Sequence, residues 1–499
     1  MTVVSQQDRR EKRAEPDMPW STTLATYYGF LILILVGHTR DFFAYYFGFS
    51  RYNQTNVQKG FAILLQSWES FFTRRLFNRV QDCWARPICS SPGARIEVMN
   101  RTSKDYEATF QLDGQKLKCI NLGSYNYLGF ADDWKDTCRD HVVDAVSQWP
   151  VSMCSSAKEL GYNILHEELE ETIANYIGKE AACVFNMGYG TNAAVVPALM
   201  GPETLIISDQ LNHTSIVNGS RASNCMIRPF THNCPKNLEQ VLREALIHGQ
   251  PRHHRPWKKI LVMVEGIYSM EGTVSHLKEV VAICKKYKAY IYVDEAHSIG
   301  ALGRTGRGVC EYTGVDPADI DILMGTFTKS FSGMGGYIAA SKQIIDHLKA
   351  NCTALLYHTS MSPIVCAQVI RALNVIMGKD GTTVGVEKIE NLAANANYMR
   401  NALMDMGLHV YGDYDSPVIP FLIYNPAKVA GFSHACLERG LAVVVVGFPA
   451  THVLLSRARI CVSANLSKED MDKAIAIISE AADLCCVKYD LNMVGCNKW

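Results

Sequence analysis

Short apolar runs that alternate with helical stretches constrain the fold of this chain more than any other feature. The runs are Ala181–Phe185, Thr204–Ser208, Ile260–Glu265, Ala289–Val293 and Ile320–Met324. The helical stretches between and before them include Glu167–Ile177, Asn237–His248 and Leu277–Lys286. Alternation of this kind is typical of a mostly parallel sheet that helices cover on both faces. The sequence therefore predicts an α/β fold.

The pattern changes along the chain, and the changes predict its organisation. After Gly381 come long helices and a few strands, predicted at Leu408–Tyr411, Val418–Tyr424, Leu441–Val446 and Ala458–Val462. This texture indicates a second, smaller α+β domain. We predict an N-terminal segment at 1–92, the N-terminal part of the small domain with its link at 93–150, the large domain at 151–380 and the C-terminal small domain at 381–499.

The N-terminal segment is more apolar than the rest. Leu24–Gly37 is a run of 14 residues that contains no charge, and a straight helix needs about 20 such residues to span a bilayer. A second apolar segment, Gly60–Phe72, precedes Arg74, Arg75 and Arg79. The two segments predict a membrane-associated helical region that either lies in the membrane interface or marginally spans the bilayer. Two ordinary core helices of a catalytic domain are the alternative.

Charge and cysteine content exclude some classes of function. The 49 basic residues balance the 49 acidic residues, so there is no electrostatic reason to expect nucleic acid as a partner. The 17 cysteines form neither a CxxC pair nor a Cys/His array with zinc spacing, so no metal site is expected. This usage fits reduced thiols in a protein that faces the cytosol.

Lys329 and Asp294 are the first candidate catalytic residues. Lys329 lies in a loop of small residues close behind an apolar strand, and Asp294 follows the strand Ala289–Val293. Pyridoxal phosphate needs a lysine that forms a Schiff base and an acid that keeps the pyridine nitrogen protonated. A surface lysine and an acidic helix cap are the alternative reading of the same two residues.

A glycine-bearing turn, Asn186–Asn192, follows the strand Ala181–Phe185 and precedes a helix. Backbone N–H groups at such a turn point at an anion, and the helix dipole favours it. The turn could hold the phosphate of pyridoxal phosphate. Gly188-x-Gly190-x-x-Ala193 also fits a loose dinucleotide fingerprint, with Asp209 about twenty residues further on.

Five further side chains are candidates for contact with the cofactor or the substrate. His213 follows a strand-end loop and could lie against the cofactor ring, and His297 could reach the ring hydroxyl. Thr326 has a hydroxyl available to the phosphate. Arg457 and Arg459 share one face of the last predicted strand. One of these two arginines could bind an amino-acid carboxylate with both arms of its guanidinium.

These residues and several longer motifs resemble the α-oxoamine synthases, which are fold-type I pyridoxal-phosphate enzymes that join an amino acid to an acyl-CoA with loss of carbon dioxide. Within that family the branch of eukaryotic serine palmitoyltransferase catalytic subunits is the most similar. The resemblance runs from about Tyr28 to Tyr489. The motifs that carry it are Asn121–Phe130, Asn212-His213, Pro256–Ile260, Val264–Gly272, Val293–Gly303, Thr305–Gly308, Gly325–Phe331 and Gly447–Thr451.

The resemblance implies a large domain with a mostly parallel seven-stranded sheet and a role for each candidate. Lys329 is the Schiff-base lysine, Asp294 binds the pyridine nitrogen, His213 stacks on the ring, and His297 contacts the ring hydroxyl. Met187, Gly188, Tyr189 and Thr326 surround the phosphate, and Arg459 and Asn126 bind the amino acid. Gly447–Thr451 corresponds to the loop over the active site. The family usually has glycine at Ser332, arginine at Ala157, glycine at Asn186 and proline at His452, and Ser463–Ser467 also departs from its pattern.

The resemblance also implies an activity and a setting. It implies condensation of L-serine with palmitoyl-CoA to 3-ketodihydrosphingosine, the first step of sphingolipid synthesis. It implies a heterodimer with a related subunit that lacks the lysine, on the endoplasmic reticulum membrane with the catalytic domain in the cytosol. Two alternatives remain from the residues: condensation of glycine or alanine with a shorter acyl-CoA, and a non-catalytic regulatory subunit.

Overall fold

A long apolar helix opens the part of the chain that the structure describes. The computed structural model describes residues 18–47, 71, 77–104, 109–448 and 450–490. Helix α1 (Trp20–Tyr46) has 27 residues, which is about 40 Å of helix. Its stretch Trp20–Phe43 is long and apolar enough to cross a membrane. Most of the second apolar segment that the sequence predicts, Gly60–Phe72, lies outside the described residues.

The helix is longer than the 14-residue run that the sequence indicated. Threonine hydroxyls within it bond to the preceding turn, because Thr26 Oγ1 donates to Thr22 O at 2.8 Å and Thr39 Oγ1 to Leu35 O at 2.7 Å. The helix continues past this run at both ends and is long enough to span a bilayer. Whether it spans the bilayer or lies in the interface stays a prediction. Thr26 and Gly37 are buried against the protein. The large apolar side chains exposed on the other faces include Leu24, Tyr28, Leu31, Leu35, Val36 and Phe43.

A short helix and a hairpin connect α1 to the domains. Helix α2 (Asn78–Gln81) precedes strands β1 (Arg95–Thr102) and β2 (Gln111–Asn121), which pair antiparallel. Helices α3 (Trp134–Thr137) and α4 (Arg139–Gln148) follow. A cavity of about 190 Å³ lies between α1 and the C-terminal part of the chain, where Phe30, Leu33, Trp84 and Val429 line it.

The large domain is built on a seven-stranded sheet, as expected. Its spatial order is β3-β9-β8-β7-β6-β4-β5. Strand β9 runs antiparallel to its neighbours β3 and β8, and the other pairs are parallel. The strands are β3 (Ala181–Phe185), β4 (Leu205–Asp209), β5 (Met226–Phe230), β6 (Ile260–Glu265), β7 (Tyr290–Asp294), β8 (Ile322–Thr326) and β9 (Gly336–Ala340). Strands β5 and β9 were not predicted, because β5 is partly exposed and β9 begins with glycine.

Helices cover this sheet on both faces and bury its apolar side chains. All residues of β4, β6 and β8 are buried, which accounts for the unbroken apolar runs in the sequence. The helices are α5 (Ile164–Ile177), α6 (Gly188–Leu199), α7 (Thr214–Ala222), α8 (Pro235–His248), α9 (Leu277–Tyr287), α10 (Val309–Thr313), α11 (Lys342–Asn351), α12 (Thr353–Tyr357) and α13 (Pro363–Ile376).

The C-terminal part forms a smaller α+β unit that includes two three-stranded sheets. One sheet has the order β10-β13-β12, and in the other β11 pairs in parallel with β2 of the N-terminal hairpin. The predicted strand at Leu408–Tyr411 does not form, and only Val410 makes an isolated bridge, to Phe421. The elements are α14 (Val384–Asp405), β10 (Val418–Tyr424), α15 (Pro426–Glu438), β11 (Leu441–Ala442), β12 (Val444–Val446), β13 (Ser456–Cys461) and α16 (Lys468–Leu484).

Candidate active site

Four neighbouring strands of the large sheet end at one edge with polar side chains. Strands β4, β6, β7 and β8 are mutually parallel and end in Asp209, Glu265, Asp294 and Thr326. Glu265 and Asp294 are paired in register across β6 and β7. Because the carboxyl ends of parallel strands share an edge, this topology places the loop that carries Lys329 next to both carboxylates.

The amine of Lys329 loses its proton more easily than that of an exposed lysine. Its Nζ lies 5.7 Å from the centre of the Tyr125 ring. Burial lowers the pKa of Lys329 to about 8, and the carboxylates of Asp294 and Glu265 offset part of that effect. A lowered pKa raises the fraction of free amine at neutral pH, and the free amine is the nucleophilic form.

A hydrogen-bond network orients the carboxylate of Asp294, which is buried. Asn192 Nδ2 donates to Asp294 Oδ2 at 2.7 Å, and the backbone N–H of Ala296 donates to Oδ1 at 2.9 Å. Tyr292 donates its hydroxyl to Asn192 Oδ1 at 2.6 Å. This third bond fixes the orientation of the Asn192 amide, so that its NH₂ group faces Asp294.

The two candidate histidines lie near this carboxylate and are both electrically neutral by environment. His297 Nδ1 is 2.8 Å from the Tyr127 hydroxyl, and burial lowers the pKa of His297 well below its ordinary value. His213 caps α7, where its Nδ1 accepts from the backbone N–H of Ser215 at 3.2 Å. That bond places the ring proton of His213 on Nε2. Burial lowers the pKa of His213 as well.

The carboxyl group of Glu265 binds the backbone of His213. The backbone N–H of His213 donates to Glu265 Oε1 at 2.5 Å, and Glu265 is 4% exposed. Burial raises the pKa of Glu265 well above its ordinary value, and the neighbouring Asp294 carboxylate raises it further. This residue was not predicted, although it ends an apolar strand in the same way as Asp294.

The N-terminus of α6 forms a cup for an anion. Met187 is the N-cap of α6, and its side chain makes no capping bond. Gly188 lies against Thr326, because a Cβ added to Gly188 would stand 2.7 Å from Thr326 Oγ1. Tyr189 accepts a bond from Asn218 through its hydroxyl, at 2.5 Å. The first-turn N–H groups and the Thr326 hydroxyl are thus gathered where only a residue without Cβ fits.

Arg459 is a buried cation that has no carboxylate partner among the described residues. It is 5% exposed, its Nε has no hydrogen-bond partner within that part of the chain, and its guanidinium lies 4.8 Å from the centre of the Tyr125 ring. Arg457, in contrast, bonds to Glu271 Oε1 at 3.2 Å and to Met270 O at 2.7 Å. A buried guanidinium without a carboxylate partner is a strong site for a ligand carboxylate, so Arg459 is a better candidate than Arg457.

Asn126 is engaged within the protein. Its Nδ2 donates to Pro92 O at 3.2 Å, and its Oδ1 accepts from the Ala131 backbone N–H at 3.3 Å and from the Ser332 hydroxyl at 2.9 Å. One amide donor is left over. Its predicted role in substrate binding therefore stays a prediction.

Sequence reasoning missed several residues that the structure brings into the site. Tyr125 and Tyr127 lie within the motif Asn121–Phe130. Their positions directly before and after Asn126, a predicted substrate-binding residue, could have indicated that they belong to the site. Asn192 ends the turn that the sequence indicated, but nothing in the sequence connected it to Asp294, which is 102 residues away.

Comparison with known proteins places this geometry in a family. Residues 118–478 match the family model described as aminotransferase class I and II. The chain is 52% identical to long chain base biosynthesis protein 2b of Arabidopsis thaliana, with 95% of this chain and 96% of that protein covered. It is 46% identical to serine palmitoyltransferase 2 of Dictyostelium discoideum, with 97% and 98% covered.

Solved structures agree with this placement. The serine palmitoyltransferase of Sphingomonas wittichii superimposes with a TM-score of 0.74 at 27% identity, over 86% of this chain and all of that one. A high-resolution structure of SPT with PLP as the internal aldimine gives a TM-score of 0.71 at 28% identity, over 81% and 94% of the two chains. The chain therefore belongs to the class I and II aminotransferase family, within the group formed by the serine palmitoyltransferases and the long chain base biosynthesis proteins 2.

Proposed function

We propose that this chain is a pyridoxal-phosphate-dependent serine C-palmitoyltransferase. It joins the α-carbon of L-serine to the carbonyl carbon of palmitoyl-CoA, with release of coenzyme A and carbon dioxide, and forms 3-ketodihydrosphingosine. The observation that carries the proposal is that the Lys329 amine, whose pKa is about 8, and the buried Arg459 guanidinium both lie close to the Tyr125 ring. The identity of 46–52% to the relatives above supports the choice of substrates.

The described residues fit pyridoxal phosphate. The cup at Gly188, which a Cβ would fill, suits a phosphate that approaches the backbone closely. Asp294 is held as an acceptor of two hydrogen bonds, and an ionised carboxylate there would keep a pyridine nitrogen protonated. When bound, the cofactor supplies an aldehyde conjugated to a pyridinium ring that withdraws electrons from the reacting carbon.

Each residue of the site then has a role toward that group. Met187, Gly188, Tyr189 and Thr326 would hold the phosphate, and His213 and His297 would contact the ring face and the ring hydroxyl. Lys329 Nζ would hold the aldehyde carbon of the cofactor, and as a free amine the same Nζ would take the α-proton of the substrate. A pKa of about 8 suits both tasks near neutral pH, since Nζ must be able to accept a proton and release it.

Arg459 binds the carboxylate of serine. Its burial makes the ion pair stronger than a surface pair would be, and the neighbouring Tyr125 ring limits the directions from which a carboxylate can approach. The carboxylate that Arg459 holds is the group later lost as carbon dioxide.

A related subunit that lacks the lysine is the proposed partner. Large apolar side chains are exposed to solvent on α4, on the start of α5, on the segment between them and at the end of α12. They are Val143, Val146, Val151, Leu160, Ile164 and Tyr357. Ser360 N donates to Ser155 O at 3.1 Å, which joins the α12 end of this surface to the segment before α5. Exposed apolar surface of this kind is typical of a subunit interface.

Membrane attachment is proposed through α1, on the endoplasmic reticulum, with the catalytic domain in the cytosol. The helix uses one narrow face against the protein and exposes aliphatic and aromatic side chains on the others. A bilayer would cover those side chains. The cysteines of the described residues are free thiols, which fits a reducing compartment.

An amino-acid titration of the cofactor-loaded protein tests the proposed function. Absorbance near ~420 nm reports pyridoxal phosphate joined to a lysine, and L-serine should change that spectrum at lower concentration than glycine or L-alanine. Borohydride reduction followed by peptide mapping should place the cofactor on Lys329. A change with glycine alone would favour another amino acid, and a protein that never binds the cofactor would fit a non-catalytic subunit.

A further inference from the structure

The loop that carries Lys329 is tied to its surroundings at two serines. Ser330 Oγ donates to Ile299 O at 2.7 Å, and Ser332 Oγ donates to Asn126 Oδ1 at 2.9 Å. The first bond reaches the chain after β7, within the large domain. The second reaches the segment that follows β2, so it joins the lysine loop to a different part of the molecule.

Ser332 makes its bond from an unfavourable backbone conformation. Its φ is +49°, in the left-handed region that L-residues with a Cβ avoid. Glycine adopts this region without strain, and the resembling family usually has glycine at this position. The chain therefore keeps a side chain where its backbone favours none, and the gain that the structure offers in return is the hydrogen bond to Asn126.

Asn126 passes this connection on to the substrate side of the site. It is 7% exposed and is the residue directly after Tyr125. The Tyr125 ring lies 5.7 Å from Lys329 Nζ and 4.8 Å from the Arg459 guanidinium, measured to the ring centre. It also meets the His297 ring edge-on, at 5.5 Å between centroids. A shift of Asn126 would therefore move a ring that lies close to both the Lys329 amine and the Arg459 guanidinium.

We propose that Ser332 is a positioning residue that acts through Asn126 to hold the Tyr125 ring beside Lys329 and Arg459, and that it thereby sets the affinity of the site for the amino-acid substrate. The proposal rests on the proposed function for the identity of that substrate. Its structural part, the tie between the lysine loop and residues 121–131, does not depend on the reaction.

Two variants at the same position separate positioning from strain. Ser332→Ala removes the hydroxyl and keeps a Cβ at positive φ, whereas Ser332→Gly removes both. Their stabilities should differ, since the glycine variant loses the strain, and its Tm should lie about 1–2 °C above that of the alanine variant. Both lack the bond to Asn126, so both should raise the KM for serine about three- to tenfold, which is the usual worth of one neutral hydrogen bond. The kcat should change less than KM.

Hydrogen exchange of the cofactor-free protein tests the structural part separately. Peptides that cover 121–131 should exchange about three- to tenfold faster in both variants than in the parent chain. Peptides that cover β5 should not change. A KM that rises in the alanine variant and returns to the parent value in the glycine variant would overturn the proposal, because the effect would then follow strain. An unchanged KM in both variants would overturn it as well.

The two measurements, the KM for serine and hydrogen exchange, also distinguish a failure of this proposal from a failure of the proposed function. If the parent protein shows no response to serine, the proposed function fails and hydrogen exchange alone decides. Faster exchange of 121–131 in both variants would then support the tie, and parent-like exchange in either variant would overturn it.

Discussion

At the scale of single residues, the site depends on how burial changes two cations. Arg459 is buried without a carboxylate partner among the described residues, and Lys329 is half-buried beside two carboxylates and has a pKa lowered to about 8. Arg459 is therefore a candidate binding site for an anion, and Lys329 is a cation that loses its proton easily. The difference follows from chemistry, since a guanidinium stays charged when buried and an ammonium does not.

Replacement of Arg459 by alanine should weaken serine binding and leave the cofactor bound. Loss of a charge-assisted bidentate pair should cost about 2–3 kcal/mol of binding free energy, or roughly 30- to 150-fold in the serine concentration that changes the spectrum. The measurement is a serine titration followed by absorbance. Arg457→Ala is the control: it breaks the bond to Glu271 and should reduce stability more than affinity. An unchanged titration in Arg459→Ala would remove this residue from the site.

Cofactor uptake by the cofactor-free protein should become faster with rising pH and level off above about pH 8. Only the unprotonated Lys329 amine can attack an aldehyde, and its pKa is about 8. The same pKa predicts a stability effect. Lys329 is neutral in the folded state above about pH 8 and still protonated in the unfolded state up to about pH 10.5. The unfolding free energy of the parent should therefore rise over this interval relative to that of Lys329→Met. A difference between the two proteins that stays constant with pH would contradict the lowered pKa.

At the scale of elements, helix α6 and strand β7 supply the side chains of the hydrogen-bond network around Asp294. Helix α6 contributes Asn192 from its second turn, and β7 contributes both Tyr292 and Asp294, two residues apart and therefore on the same face of the strand. The network Tyr292–Asn192–Asp294 works only while α6 packs on the sheet in one register. Cofactor binding is therefore coupled to the packing of α6.

Replacement of Tyr292 by phenylalanine should lower the affinity for pyridoxal phosphate roughly tenfold. The Asn192 amide would lose the donor that fixes its orientation and would leave a buried oxygen unpaired. Tyr337→Phe is the matched control in the same sheet, because the Tyr337 hydroxyl is buried and has no hydrogen-bond partner among the described residues. That control should keep the affinity of the parent and match or exceed its stability. Equal losses in both variants would indicate a general packing effect.

At the scale of the whole molecule, the chain combines a soluble α/β enzyme fold with an apolar helix at one end. One face of helix α1 lies against the catalytic part, where Phe30 and Leu33 line a cavity together with Trp84. The other faces of α1 are exposed. The substrate and product of the proposed reaction are lipids that partition into bilayers. Attachment through α1 would keep the site at the surface where they are found.

Deletion of residues 1–75 should release the protein from membranes in cells that lack the partner subunit. Even half of the apolar side chains of α1, at about 1.5–3 kcal/mol each, outweigh the loss of motion at the surface. The measurement is sedimentation with membranes, and retained cofactor binding is the control for folding. The partner must be absent, since it could retain the truncated chain. Continued sedimentation of folded, partner-free protein would place the anchor elsewhere.

A finer variant keeps the contacts between α1 and the domain. Leu31→Lys with Leu35→Lys changes two exposed positions, which are 52% and 58% exposed, and spares Phe30 and Leu33. This variant should also weaken membrane attachment, because a charge in the apolar layer is costly. Attachment equal to that of the parent would show that these faces of α1 do not meet the bilayer.

The sequence by itself determined the α/β class, the strand ends that carry Asp294 and Lys329, and the family. Local patterns suffice for these, because a buried parallel strand reads as an unbroken apolar run and a strand end is marked where polar residues begin. Alternation places Arg457 and Arg459 on one face and the resemblance implies Arg459; the tertiary structure adds a physical reason to favour Arg459, since Glu271 pairs with Arg457. The tertiary structure also brought in Asn192, Glu265 and Tyr125, and tied Ser332 to Asn126 across 206 residues. Such contacts depend on which segments the fold brings together, and a one-dimensional pattern carries no record of them.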